Sequence, residues 1–135
     1  MSGPCLVDSN VYIGLLRRGI DPSLALTDWI GDGDLAICGM VRMEVERGLK
    51  VERIRRRLSS FFDVLLNIPT TNRIWEEAAA QAWSLDRRGL ILPAQDILIA
   101  MCAKEIGASV LSDDRHFDLL PGLRVLRPED TLKDW

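Results

Sequence analysis

The sequence predicts an α/β fold, a three-layer α/β/α sandwich around a central, mostly parallel sheet. Three observations carry this expectation. Short apolar runs of two to four residues alternate with longer segments whose apolar residues recur at helical spacing. That alternation is the order that builds a parallel sheet with helices on its faces. The chain has 135 residues, 47% hydrophobic and 27% charged, which suits one domain spanning 1–135 with a sizeable core and excludes a disordered segment.

Cys5-Leu6-Val7 is the first apolar run, a strand ending at Asp8. From Asn10 to Arg18, Val11, Tyr12, Leu15 and Leu16 fall at helical spacing, and Gly19 stops the helix. Asp21 and Pro22 read as the N-cap and first residue of a helix through Ile30. Gly31-Asp32-Gly33 turns the chain into a second strand, Leu35-Ala36-Ile37-Cys38. Helices are expected over Val41–Gly48 and Val51–Leu65, then a short strand, Leu66-Asn67-Ile68, before Pro69. Thr70, Thr71 and Asn72 are cap candidates for a long helix to Arg88, closed by Gly89. Ile74, Ala78, Ala82 and Leu85 form one apolar stripe on it. Trp75, Ala79 and Trp83 form a second, expected to pack in the core, with a partner face as the alternative. Ile97 to Ala103 is apolar throughout, so its helix is buried nearly all round, and Gly107 ends it. Val110-Leu111 is a strand running into Ser112-Asp113-Asp114, and Arg124-Val125-Leu126 is the last strand before Pro128.

Composition narrows the chemistry. No apolar run approaches the roughly 18–20 residues of a membrane helix. The start, Met1-Ser2-Gly3-Pro4-Cys5-Leu6, lacks the charged and apolar stretches of a secretion signal, so a cytoplasmic location is expected. Cys5, Cys38 and Cys102 are odd in number and far apart in sequence, which fits buried reduced thiols and not a disulfide framework or zinc spacing. The single histidine, His116, excludes two-histidine ribonuclease chemistry and histidine-rich metal sites. Catalysis would then fall to carboxylates. The net charge of −3 does not advertise nucleic-acid binding. Between Arg42 and Arg57, however, seven basic residues accompany three acids. That stretch is either a solvated helix face with pairs such as Glu52–Arg56 or a rim that faces phosphates.

Ligands of open parallel sheets sit beyond the carboxyl ends of the strands. Asp8 directly follows the first strand, and Asp114 lies just after Val110-Leu111. Asp96 opens the most buried helix, and Glu44 sits early on the helix after the second strand. Each acid has an ordinary alternative, as cap, turn residue or surface ion pair. Together they can converge on one edge. Two carboxylates about 4 Å apart repel by roughly 4 kcal/mol at an effective dielectric near 20, so four require neutralisation. An all-oxygen site suits Mg²⁺ or Mn²⁺ better than Zn²⁺, and such an ion suits phosphodiester hydrolysis.

Four segments resemble the motifs of PIN-domain nucleases. They are Leu6-Val7-Asp8-Ser9-Asn10-Val11, Val41-Arg42-Met43-Glu44-Val45, the stretch from Arg88 through Pro93-Ala94-Gln95-Asp96 to Ala100, and Val110 through Ser112-Asp113-Asp114 to Phe117. Size and motif order are similar to the VapC toxins of toxin–antitoxin pairs. The resemblance implies a PIN-like sandwich and Mg²⁺- or Mn²⁺-dependent cleavage of RNA. It further implies Asp8, Glu44, Asp96 and Asp114 as metal-binding acids, with Ser112 and Asn10 supporting them. Asp113 is the alternative to Asp114, and the site could hold one metal or two. It also implies a homodimer silenced by a small VapB-like antitoxin. The competing reading is a non-catalytic PIN-like binding module whose acidic pocket receives a basic side chain of a partner. A phosphatase using Asp8 as nucleophile is disfavoured, because Asn10 stands where a second Asp would be needed.

Overall fold

A computed structural model describes residues 3–31 and 33–135. The expectations resting on Met1 and Ser2, and on Asp32 at the centre of its turn, fall outside the described residues.

Five short strands form one parallel sheet: β1 (Cys5–Val7), β2 (Leu35–Cys38), β3 (Leu66–Ile68), β4 (Ser109–Leu111) and β5 (Val125–Leu126). Their spatial order is β3-β2-β1-β4-β5. Parallel strands need crossovers, and helices supply most of them: α1 (Ser9–Arg17), α2 (Pro22–Ile30), α3 (Gly39–Arg47), α4 (Glu52–Asp63), α5 (Asn72–Arg87) and α6 (Ala94–Glu105). A 3₁₀ turn (Arg115–Leu119) and a short α7 (Pro128–Thr131) complete the described elements. The arrangement is the expected three-layer α/β/α sandwich. Every residue of β1, β2 and β4 is buried, as a sheet covered on both faces requires.

Caps set the boundaries. Asp8 caps α1, Asp21 caps α2 with Pro22 as first residue, and Thr71 caps α5. Gly89, at φ +78°, lets the chain leave the end of α5. Two helices begin or end away from the expected positions. The helix expected at Val41 starts at Gly39, because extended Cys38 hands the chain straight into it, and α4 stops at Asp63.

The core is continuous, with Leu6, Tyr12, Leu26, Ile37, Phe62, Ile74, Leu85, Ile99 and Phe117 all essentially inaccessible. Along α6 every residue from Asp96 to Ala103 is buried, as the unbroken apolar run implied. Cys5, Cys38 and Cys102 are buried and free.

One packing expectation fails. On α5, Ile74, Ala78 and Leu85 are buried, but Trp75 and Trp83 are 54% and 63% exposed. The helix packs along α6 through one stripe, and no described element covers the other. The basic stretch is resolved too. Arg42 pairs with Glu46 and Asp63, Arg55 with Glu46 and Glu52, Arg56 with Glu52, and Arg57 with Asp21. Most of its charge is therefore spent within the protein, the solvated-face arrangement.

Candidate functional site

The strand order reverses between β1 and β4, and Asp8 and Ser112 close those two neighbouring strands. This is the crevice where open parallel sheets bind ligands. Asp8 is 3% exposed. Its Oδ1 accepts from the Ser9 backbone N–H at 2.8 Å, and its Oδ2 accepts from Ser112 Oγ at 2.8 Å. Ser112 is fully buried and serves as a hub. While donating to Asp8, its hydroxyl accepts from Asn10 Nδ2 at 3.2 Å and from the Asp114 N–H at 2.9 Å. Asn10 also accepts the Asp113 N–H at 3.2 Å. First and last motifs, about a hundred residues apart in sequence, are thereby tied into one network.

Asp114 caps the 3₁₀ turn by accepting the His116 N–H at 2.9 Å. This folds the imidazole back over the acids. His116 Nδ1 lies 3.0 Å from Asp96 Oδ2 and 3.0 Å from Asp114 Oδ1. One ligand atom each from Asp96, Asp114 and His116 falls within 4.8 Å of the others. Asp96, in the first turn of α6, is 7% exposed. Glu44 reaches the group from α3, where its Oε1 accepts from Ser9 Oγ at 3.3 Å. Asp113 behaves differently: it is exposed and lines a groove beside the cluster. The structure brings together Asp8, Glu44, Asp96, Asp114, Ser112 and Asn10, and leaves Asp113 at the margin.

Burial and mutual repulsion set the electrostatics. Loss of solvent pushes the Asp8 carboxyl up to about 6, the charges of Asp96 and Glu44 add to this, and the bonds from Ser112 and Ser9 oppose it. Asp96 is also pushed up to about 6, chiefly by burial, with Asp114 adding and His116 opposing. Burial raises Glu44 as well. His116 is raised, first through its bond to Asp96. Acids that ionise this reluctantly are stabilised by a cation placed among them.

The donor set fits a hard divalent ion, with one departure from expectation. Beside the carboxylates the capped turn after Asp114 places one imidazole, His116, within reach of the same position. Carboxylate and imidazole together suit Mn²⁺ at least as well as Mg²⁺. Three residues before Phe117 in the motif, Asp114 is an evident cap, and a cap two residues ahead of a histidine was the signal available.

A second residue carried no sequence signal. Arg127, after β5, donates from one guanidinium nitrogen to the carbonyls of Ser112 and Asp114, both at 3.0 Å, and pairs with Asp118 through another. It clamps from behind the turn that carries Asp114.

Comparison with known proteins agrees with this fold. A family model described as PIN domain matches residues 5–123. No curated protein matches at a significant level. Among solved structures, VapBC2 from Rickettsia felis, bound to a DNA fragment from its promoter, superposes with a TM-score of 0.77 at 21% identity, covering 92% of this chain and 98% of that one. A toxin–antitoxin complex from Klebsiella pneumoniae gives 0.71 at 21% identity, covering 92% and 97%. The PIN domain endonuclease Utp24 gives 0.54 at 19% identity, covering 92% and 84%. At these identities the superpositions establish shared fold.

Proposed function

The chain belongs to the PIN-domain family, and on that premise we propose that it is a divalent-metal-dependent endoribonuclease acting as the toxin of a toxin–antitoxin pair. The observation that carries this reading is the convergence of buried, reluctantly ionised Asp8 and Asp96 with Asp114 and Glu44 at the β1–β4 crevice.

Asp8, Asp96 and Asp114 would hold the ion, Mg²⁺ or Mn²⁺, with Glu44 at its edge and His116 available beside it. When bound, the ion supplies a water of lowered pKa and charge stabilisation for a phosphodiester. The protein's own groups do the positioning. Ser112 orients Asp8 through its hydroxyl, and Asn10 holds Ser112 and the Asp113 amide in register. The imidazole of His116, bridged between two carboxylates, can hold or release a proton at Nδ1. Arg127 fixes the backbone on which Asp114 rides.

The likeness to a toxin–antitoxin complex supports a small VapB-like antitoxin as partner, and the uncovered Trp75–Trp83 face supports a homodimer. Among the described residues no helix is long and apolar enough to cross a membrane. We place the protein, as a single domain, in the cytoplasm.

Incubating purified protein with total RNA, with and without Mn²⁺ or Mg²⁺, tests the reading. Cleavage should require metal, stop with EDTA, and vanish in Asp8→Asn and Asp96→Asn. Absence of both EDTA-sensitive cleavage and saturable Mn²⁺ heat would leave the acidic pocket as a binding module.

A further inference from the structure

A groove of about 420 Å³ opens beside the acidic cluster, and the proposed chemistry does not use it. Its near end is Asn10 and Asp113, which are hydrogen-bonded to each other and joined through Ser112 to Asp8. Its far end is Arg17, Arg18 and Trp135. Both arginines are exposed, and among the described residues neither forms an ion pair. The Arg18 guanidinium lies 4.0 Å over the Trp135 ring while donating to the Gly14 carbonyl at 3.0 Å. Gly14 makes this seat possible, because a Cβ there would collide with the indole. In the middle of an α-helix a glycine is otherwise unfavourable.

We propose that this groove is a subsite for single-stranded RNA, in which Trp135 stacks a base and Arg17 and Arg18 hold the adjoining phosphates, leading the strand toward Asp8. The proposal rests on the nuclease reading and deepens it. Charge and shape both favour this occupant. The acidic cluster repels a polyanion, so affinity must come from beside it, and the Arg42–Arg57 stretch is largely engaged in its own ion pairs. Two unpaired arginines next to an aromatic plane form a small version of the basic groove with stacking platform that binds single strands. An exposed cation–π contact is weaker than base-on-aromatic stacking, so an incoming base can take the indole from Arg18 and free its guanidinium for phosphate. Trp135 and the arginines are thus positioning residues, remote from the bond that breaks.

The test measures binding and cleavage separately. Fluorescein-labelled oligoadenylate of twelve nucleotides is titrated by anisotropy, because stacking is tolerant of sequence. Wild type, Arg17→Ala, Arg18→Ala, Trp135→Ala and Trp135→Phe are compared, with Arg53→Ala on the exposed face of α4 as control. Trp135→Ala should weaken binding roughly five- to a hundredfold, and Trp135→Phe should restore most of it. Arg17→Ala should lower the slope of log K against log salt by about 0.7. On cleaved RNA the same variants should raise KM and leave kcat within about threefold. Unchanged binding and KM in Arg17→Ala and Trp135→Ala overturn the proposal, as does an equal loss of binding in the Arg53→Ala control. If Trp135→Ala does not fold, Arg17→Ala and Arg18→Ala still decide. Wild-type cleavage with indifferent groove variants refutes the groove alone. Groove-dependent binding without metal-dependent cleavage refutes the nuclease reading alone.

Discussion

Replacing Asp8 by Asn should abolish cleavage and stabilise the metal-free protein. Folding lifts this carboxyl from 3.8 to about 6, so its ionised form is disfavoured by about 3 kcal/mol relative to the unfolded chain. Asn removes that penalty and keeps the shape. Its carbonyl can still accept the Ser9 N–H, but its amide cannot accept the Ser112 hydroxyl, a loss of about 1 kcal/mol. The net gain at pH 7.5 is about 2 kcal/mol, or roughly 5–10 °C in Tm for a chain of this length. The sign follows from the raised native pKa. Wild-type stability from this group is fully present below pH 3.8 and is lost as pH rises through about 6. The gap between variant and wild type should therefore be near zero or slightly negative at pH 4 and complete by pH 7. Thermal melts by circular dichroism in EDTA, at pH 4, 5.5 and 7.5, measure it. A variant that melts lower than wild type at every pH would show that Asp8 acts chiefly as the cap of α1, and the electrostatic argument would fail.

Other perturbations separate supporting roles from structural ones. Arg127→Ala leaves the Ser112 and Asp114 carbonyls and Asp118 without their donor; cleavage should drop at least tenfold while Mn²⁺ affinity, read by calorimetry, falls several-fold, and Arg127→Lys should recover little because one ammonium cannot span the same three acceptors. Tyr12 is buried with a hydroxyl that has no partner among the described residues, and burial pushes that phenol well above its usual range. Tyr12→Phe keeps the edge-to-face contact with Phe62 and should raise stability by about 1 kcal/mol in urea denaturation. Trp75→Ala with Trp83→Ala should change monomer stability little, since both indoles are more than half exposed, and should shift the oligomeric state measured by analytical ultracentrifugation if that face pairs two copies.

Much of the fold was legible because the signals were local. Caps such as Asp21-Pro22 and Thr71, the stop at Gly89 and the unbroken apolar run of α6 each act over a few residues, and each appears where expected. The four acids were legible because parallel topology sends strand ends to one edge. What escaped depends on neighbours distant in sequence. Trp75 and Trp83 obey the same helical period as a core stripe, and only the way α5 lies on α6 decides which stripe is covered. Asp113 and Asp114 are adjacent and alike in sequence; in the fold the Ser112 hydroxyl bonds the Asp114 amide, while Asn10 takes that of Asp113 and leaves its carboxylate exposed. Arg127 reaches back across more than a dozen residues to carbonyls, which no side-chain pattern advertises.

On the proposed reading, stability and ion binding at this site are two measures of one quantity. Burial, with neighbouring charges adding to it, makes Asp8 and Asp96 costly to ionise, and on that reading a cation held among them would relieve that cost. The stabilisation that Asn supplies at position 8 without metal is therefore of the same origin as the stabilisation that Mn²⁺ supplies to the wild type. Adding saturating Mn²⁺ at pH 7.5 should raise the wild-type Tm by several degrees and close or reverse its gap to Asp8→Asn. At pH 4, where the carboxyls keep their protons, the ion should do little. Equal Mn²⁺ stabilisation of both proteins at pH 7.5 would separate the two quantities and place the ion somewhere other than among these acids.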